Sequence, residues 1–286
     1  MRSDVEYLRP SNLKEAIDFL SDHGPETKAL AGGTDLLIDI RSGELKSRYV
    51  MDITRISQLK EITVTAEGLS IGAGVTITDI LRSETVGRLA PVLGKGCLKF
   101  GSPQVRNTAT IGGNIANASP SADTFPPLIV HEALAVVAGP KGERRIRVEK
   151  SASGPYKTSI GSDELIVRFI LKPAEGKLFE FLKIGRRKAL AIARVSMAML
   201  AEKDASGAVD FFRFCLGSST PVPCRFIEVE EFLTGKVPDE ALITEAGRIA
   251  AEKMIEISGR RSTTVYKEPA VKGLFRRLLH PLVQNE

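Results

Sequence analysis

The feature that most constrains this 286-residue chain is the run T-A-T-I-G-G-N-I-A-N-A-S-P-S-A-D-T-F-P-P-L over residues 108–128. It combines two adjacent glycines, two asparagines and several hydroxyl residues, and Asp123 is its one ionised side chain at neutral pH. Such a run is poor material for a solvated face or for plain core. Gly112 and Gly113 lack a Cβ, so positive φ is open to them and another group can approach their amides. Successive exposed N–H groups form a concavity suited to an anion, commonly a phosphate. Earlier in the chain, A-G-G-T-D-L-L over residues 31–37 repeats that chemistry. Two Gly-Gly turns, each ending a predicted strand, point to a dinucleotide or similar ligand. Taken alone, Gly32-Gly33 reads equally as a tight strand-to-helix turn, because glycine is the default turn residue. Asp123 alone reads equally as a helix cap.

The length allows a substantial core and more than one domain. A hydrophobic content of 43% with 26% charged residues excludes wholesale disorder. The start, M-R-S-D-V-E-Y-L-R-P, has no apolar h-region and reads as mature protein. No apolar run approaches membrane-spanning length, so no membrane span is expected. Cys97, Cys215 and Cys224 are too few for a four-thiolate iron–sulfur site. They suggest no disulfide framework either, so a reducing cytoplasm is the expected compartment. The net charge of +5 raises nucleic acid as a partner, but aromatic content is 6% with no Trp. Aromatic platforms interleaved with a basic groove, which single-strand binding needs, are not visible, and no nucleic-acid role is expected. The clusters Arg144-Arg145-Arg147, Arg186-Arg187-Lys188, Arg260-Arg261 and Arg276-Arg277 read first as solvated faces, with partner docking or anion binding as the other reading. His23, His131 and His280 stand in unrelated contexts and read as structural or surface residues. Neither a catalytic residue nor a metal site is expected.

Periodicity predicts a strand over 5–8, then a helix capped by Ser11 with Leu13, Ala16, Ile17 and Leu20 at helical spacing. A buried strand over 28–31 runs into Gly32-Gly33, and Thr34 caps a short helix through Leu36, Leu37 and Ile40 whose first amides favour a phosphate. A strand over 49–53, a hairpin around Glu67-Gly68, a helix from Thr78 and a buried helix over 89–100 follow. Beyond the central run, a helix over 122–132 tolerates Pro126 and Pro127 in its first turn. Paired strands over 133–138 and 144–148 precede an apolar strand over 164–171. K-P-A-E-G, residues 172–176, marks the domain boundary. After it, 179–184, 195–203 and 209–216 read as antiparallel strands. From Arg225 the chain reads as mainly helical, with apolar spacing at Ile227, Phe232 and Leu233 and at Ala246, Ile249, Ala250 and Met254.

Three stretches resemble the FAD-binding medium subunit of the molybdenum hydroxylases, the family of bacterial CO dehydrogenases and xanthine dehydrogenases. They are A-G-G-T-D-L-L from residue 31, G-S-P-Q-V-R-N-T-A-T-I-G-G-N-I-A-N-A-S-P-S-A-D from residue 101, and K-I-G-R-R-K-A-L-A-I-A from residue 183. The resemblance covers essentially the whole chain. It implies an α+β fold: a two-lobed FAD-binding domain of the vanillyl-alcohol-oxidase (PCMH) type over residues 1–175, with lobes of about 1–57 and 58–175. A C-terminal domain of antiparallel sheet plus helices, of the CO dehydrogenase flavoprotein type, follows over 176–286. FAD lies between the lobes in this family.

By position, the resemblance assigns Ala29, Leu30, Ala31, Gly32, Gly33, Thr34, Asp35 and Leu36 to the first pyrophosphate loop. It assigns Ala109, Thr110, Ile111, Gly113, Asn114 and Ala116 to the second. Asp123 accepts from a ribose hydroxyl, and Phe100 and Gly101 border the flavin or adenine. Leu165 or Ile166 lines the cofactor, and Lys183 approaches it from the C-terminal domain, although alone it reads also as a surface strand lysine. FAD is expected to be non-covalent, because no histidine stands beside a glycine loop. The molybdenum cofactor and [2Fe-2S] clusters are expected only in a large and a small partner subunit, assembled as a dimer of heterotrimers.

The implied activity is that of an FAD-dependent oxidoreductase subunit, carrying electrons from the partner's clusters through FAD to an external acceptor. A stand-alone flavoprotein oxidoreductase of the same fold, or a non-catalytic nucleotide-binding assembly module, are the other readings. The chain departs from the family in three ways. Lys188-Ala189-Leu190-Ala191 lacks the acidic residue many members carry after the paired arginines, no cysteine-rich insertion is present, and no NAD fingerprint is recognisable.

Overall fold

A computed structural model describes residues 5–187 and 190–283; Lys188 and Ala189 of the neutral segment after the paired arginines, and residues 1–4 of the N-terminal stretch, lie outside the described residues. The chain runs β1 (Glu6–Leu8), α1 (Leu13–His23), β2 (Thr27–Leu30), α2 (Leu36–Ser42), β3 (Tyr49–Asp52), β4 (Ile62–Thr65), β5 (Gly68–Gly72) and α3 (Ile77–Arg82). Five helices follow: α4 (Glu84–Leu89), α5 (Pro91–Leu98), α6 (Pro103–Arg106), α7 (Ile111–Ala116) and α8 (Phe125–Val130). Next come β6 (Leu134–Gly139), β7 (Gly142–Arg147), β8 (Ala152–Gly154), β9 (Lys157–Thr158) and β10 (Leu165–Leu171). The last part holds β11 (Leu178–Gly185), β12 (Ala193–Lys203), β13 (Val209–Gly217), β14 (Cys224–Arg225), α9 (Ile227–Leu233), α10 (Glu240–Ser258), α11 (Thr264–Leu278) and α12 (His280–Val283).

Two compact units interleave along the sequence. The first takes the chain up to Ser83, then Ser102–Ala118 and Ala133–Lys172. The second takes Glu84–Gly101, Ser119–Glu132 and the chain from Pro173 onward.

In the first unit, β1 and β2 flank β3, both parallel to it. An antiparallel sheet of order β4-β5-β10-β6-β7 completes it, together with the small β8-β9 hairpin. The α1 residues Ala16, Ile17 and Leu20 share one apolar cluster with Met51 of β3 and with Val136, Leu165 and Val167 of the larger sheet. A bulge between Ile166 and Arg168 shifts the side-chain alternation of β10, so that Ile170 joins Leu165 and Val167 in that cluster. Two helix starts differ from expectation. Asn12, not Ser11, caps α1 by accepting the Glu15 N–H, while the Ser11 hydroxyl donates to the Glu15 carboxylate. α3 begins at Ile77, one residue before the expected start at Thr78, and Thr76 caps it in a reciprocal capping box with Asp79. Where several capping residues are adjacent, the point at which φ and ψ turn helical decides between them.

The second unit is built on the antiparallel sheet β11-β12-β13-β14. Val195, Met197 and Met199 of β12 pack with Phe212 and Phe214 of β13 against α10 and α11. The Phe214 ring meets Phe226 and Phe275 edge-on, at centroid distances of 5.7 and 4.9 Å. Ser196, Ala198 and Leu200, on the opposite face of β12, are buried as well, because α5 and α8 cover that side. Coverage on both faces explains why β12 reads as a nearly continuous apolar run. α8 is shorter than the 122–132 expectation, with Pro126 and Pro127 in its first turn. Among the described residues, no helix is long and apolar enough to cross a membrane.

Candidate functional site

The first glycine loop leaves β2 after Ala29 and Leu30. Gly33 holds a φ of +70°, a left-handed conformation that glycine adopts without steric cost. Gly32 is required for a different reason: a Cβ there would stand 2.1 Å from the Thr108 carbonyl oxygen and 2.8 Å from the Ala109 Cα. Its bare backbone therefore brings the first loop onto the segment that enters the second. Asp35, not Thr34, occupies the N-cap position of α2. The Asp35 carboxylate instead accepts a hydrogen bond from Asn117 Nδ2 at 3.1 Å, tying this loop to the end of α7.

Among the described residues, the amides of Gly32, Gly33, Thr34, Asp35 and Leu36 have no protein acceptor; the run of bonds resumes with Leu37, which donates to the Gly33 carbonyl at 3.1 Å. Consecutive N–H donors left open around a left-handed glycine, at the start of a helix, are the kind of arrangement that can receive an anion. Ala31, Gly32, Gly33, Thr34 and Leu36 are half-buried and Asp35 is exposed.

The second loop differs from expectation. Gly112 and Gly113 do not form a positive-φ turn; they lie inside α7. Their amides are used within the chain. Gly112 donates to the Ala73 carbonyl at 2.8 Å, and Gly113 donates to the hydroxyl of its cap residue, Thr110, at 3.1 Å. Ile111 donates to Val75 at 3.0 Å and Asn114 to the Thr110 carbonyl at 3.0 Å. Glycine at 112 serves close packing, since a Cβ there would sit 2.6 Å from the Ala73 Cβ. What α7 offers is a surface nearly without side chains. Gly113 and Ala116 are exposed and Asn114 is half-buried, while Ala109, Thr110 and Ile111 are buried beneath them. Asn117, which clamps Asp35, escaped the sequence reading. Its signal was the N-I-A-N spacing, which places Asn114 and Asn117 three apart on a helix. In β10, Leu165 is committed to the core cluster, whereas Ile166, also buried, points to the opposite face of the strand.

The remaining assigned residues lie in the second unit. Phe100 and Gly101 follow α5 and are half-buried. Asp123 precedes α8 but does not cap it; Thr124 holds the N-cap position, and its side chain does not accept from the first turn. Lys183, on β11, places its ammonium 2.5 Å from Asp123 Oδ2 and donates to the Lys99 carbonyl at 3.0 Å. It is thus no surface lysine: both side chains of the pair are 8% exposed. The second carboxylate oxygen, Asp123 Oδ1, is buried without a hydrogen-bond partner.

Burial outweighs the attraction of Lys183 and pushes the Asp123 carboxyl up to about 6. The folded protein therefore keeps a proton that the unfolded chain releases from its ordinary value of 3.8 upward. The contribution of this group to stability declines as pH rises through that window, and is constant above it. The Asp123 carboxyl carbon, followed by NMR in the cofactor-free protein, is expected to titrate near 6; an ordinary aspartate titration would refute the burial argument.

A PCMH-type FAD-binding fold followed by a sheet-and-helix C-terminal domain is the class these elements define. Residues 3–173 match the FAD binding domain in molybdopterin dehydrogenase, and residues 180–282 match the CO dehydrogenase flavoprotein C-terminal domain. The chain belongs to the FAD-binding subunits of the xanthine dehydrogenase/CO dehydrogenase family, FAD-dependent oxidoreductase subunits of electron-transfer type. It is 32% identical over 230 residues to the putative xanthine dehydrogenase FAD-binding subunit of Escherichia coli (strain K12), covering 79% of this chain and 78% of that one. A chain of the carbon monoxide dehydrogenase from Hydrogenophaga pseudoflava has a TM-score of 0.90 at 27% identity, over 98% of this chain and 97% of that chain. Quinoline 2-oxidoreductase from Pseudomonas putida 86 gives a TM-score of 0.89 at 27% identity with the same coverage.

Proposed function

We propose that this chain binds FAD non-covalently, with the pyrophosphate on the amides of Gly32, Gly33, Thr34, Asp35 and Leu36. The observation that carries this reading is that run of five amides without a protein acceptor, since a phosphate anion is the partner such a nest suits. Bound FAD supplies one- and two-electron redox chemistry. The chain's own residues bind and orient it. Ala29, Leu30 and Ala31 lead into the nest, and Gly113, Asn114 and Ala116 present the side-chain-free surface that lets a diphosphate approach. Ala109, Thr110 and Ile111 hold that surface in place. Ile166, rather than Leu165, lines the cofactor in this reading, and Phe100 and Gly101 border its ring systems. In the second unit, Asp123 Oδ1 is a buried acceptor of the kind a ribose hydroxyl needs, and Lys183 fixes the carboxylate that carries it.

Electrons reach the chain, on this reading, from [2Fe-2S] clusters of a small partner subunit, after a large molybdenum-cofactor subunit oxidises its substrate. They leave to an external acceptor. The assembly proposed is a dimer of heterotrimers in the cytoplasm, with residues 1–175 as FAD domain and 176–286 as C-terminal domain. The purified chain is expected to be yellow and to release intact FAD into the supernatant on acid denaturation. A colourless preparation that also takes up no added FAD would refute the reading, and flavin remaining with the precipitate would refute the non-covalent link.

A further inference from the structure

In the second unit most cations are neutralised in pairs: Arg213, Arg225, Arg248, Lys253, Lys272 and Arg276 each face a carboxylate. Several others have no carboxylate partner among the described residues, and three of these, Arg194, Arg261 and Lys267, are near enough for the first two to act on the charge of the third. The Arg194 guanidinium, at the start of β12, lies 5.0 Å from the centroid of the Tyr266 ring on α11. Half-buried Lys267, the next residue, donates to the Ser218 carbonyl at 2.6 Å. Arg261, just before α11, donates its Nε to the Ser258 carbonyl at 2.9 Å. Burial, followed by the nearby Arg261 and Arg194 charges, presses the Lys267 ammonium below its ordinary value. Three like charges close together, satisfied only by neutral groups, are unfavourable until an anion joins them.

The surface around them is apolar. Ile192 is 81% exposed, Val265 84% and Tyr266 42%. Ala193, between Ile192 and Arg194, is buried, so strand alternation sends its two neighbours outward together. The stacking of Arg194 on Tyr266 brings that strand start beside the first turn of α11. Arginine and tyrosine with exposed aliphatic side chains is the composition of an interface centre; the neighbouring acid, Glu268, is taken up by Arg260 and Lys272 rather than by these three cations. A small phosphate would satisfy the cations but make no use of Ile192 and Val265. A second copy paired through the same face would set three cations against three cations.

We propose that Arg194, Arg261 and Lys267, with Ile192, Val265 and Tyr266, form a docking surface for a partner protein subunit that presents carboxylates flanked by apolar side chains. This rests on the reading of the chain as one subunit of a larger complex. Charge complementarity of this kind makes association salt-sensitive and discriminates against wrong partners.

The test co-expresses the full chain with the molybdenum and iron–sulfur subunits of its complex. Wild type is compared with the doubles Arg194→Glu/Arg261→Glu and Ile192→Ser/Val265→Ser; the second pair loses no side-chain hydrogen bond or ion pair. Both doubles are expected to recover at least about tenfold less partner, with FAD content and thermal unfolding unchanged, and the wild-type complex to weaken as salt is raised. Wild-type recovery of partner by both doubles overturns the surface. Loss confined to the charge-reversed double assigns the cations to a small anion and overturns the protein partner. A change in self-association of the isolated chain assigns the face to a second copy and overturns it too. If the wild-type chain holds FAD yet joins neither subunit, the assembly reading fails and the surface with it, a result distinct from failure of the surface alone.

Discussion

Replacing Gly113 by valine is expected to abolish FAD retention while costing the fold no more than about 1–2 kcal/mol. Gly113 is exposed, and a Cβ there would meet one atom within 4 Å, the Thr110 hydroxyl oxygen at 3.0 Å. That hydroxyl is the cap that accepts the Gly113 N–H. The substitution therefore strains one cap and projects a branched side chain over the surface a diphosphate has to reach. Gly112→Val is the contrasting case. Its Cβ would lie 2.6 Å from the Ala73 Cβ and 2.7 Å from the Ala73 oxygen that accepts the Gly112 N–H, so relief requires breaking that bond. This variant is expected to unfold at markedly lower temperature or to be insoluble. Flavin-to-protein absorbance ratios and circular-dichroism melts separate the two outcomes. Full flavin occupancy in Gly113→Val would remove the outer face of α7 from the binding site.

Asp123→Asn is expected to weaken FAD binding about tenfold to hundredfold, the cost of replacing a charged acceptor by a neutral one. The same change is expected to make the cofactor-free protein more stable at pH 8, by an amount on the order of 1–3 kcal/mol. Both effects come from one feature: a carboxylate held in a buried position, with one oxygen on Lys183 and the other without a partner. Burial disfavours the charged form more than Lys183 restores it, so an amide of the same shape relieves the fold. The stability gap between wild type and variant should widen from pH 4 to pH 7 as the wild-type carboxyl ionises, and then hold steady. Urea unfolding at pH 4.5 and pH 8, with FAD titrated by fluorescence quenching, measures both. An equal gap at the two pH values would refute the titration argument, and unchanged FAD affinity would refute the role given to Asp123. Lys183→Met is the opposite perturbation. It leaves the carboxylate buried without its cation, and is expected to destabilise the protein at pH 8 and move the Asp123 titration above about 6.

Much of the fold was legible in the sequence because the relevant interactions are local. The long apolar runs of β12 and β13 and the helical spacing in α1 and α10 announce themselves within a dozen residues. The A-G-G-T-D and T-I-G-G-N runs carried the family, and the turn from strand to helix read at the first of them is made at Gly33, whose φ is +70°. α7 was not legible. Two adjacent glycines argue against a helix on propensity, and it is packing of Gly112 against Ala73 that overrides them.

Short-range patterns thus sufficed for the family, for the kinds and order of the main elements, and for a glycine turn leading into a helix at the first loop. Three features depend on the folded chain. It clamped Asp35 to Asn117, buried Asp123 with Lys183, and assigned Glu84–Gly101 and Ser119–Glu132 to the C-terminal unit rather than to their sequence neighbours. Each joins groups far apart along the chain, where desolvation and steric fit act and no local pattern reports them.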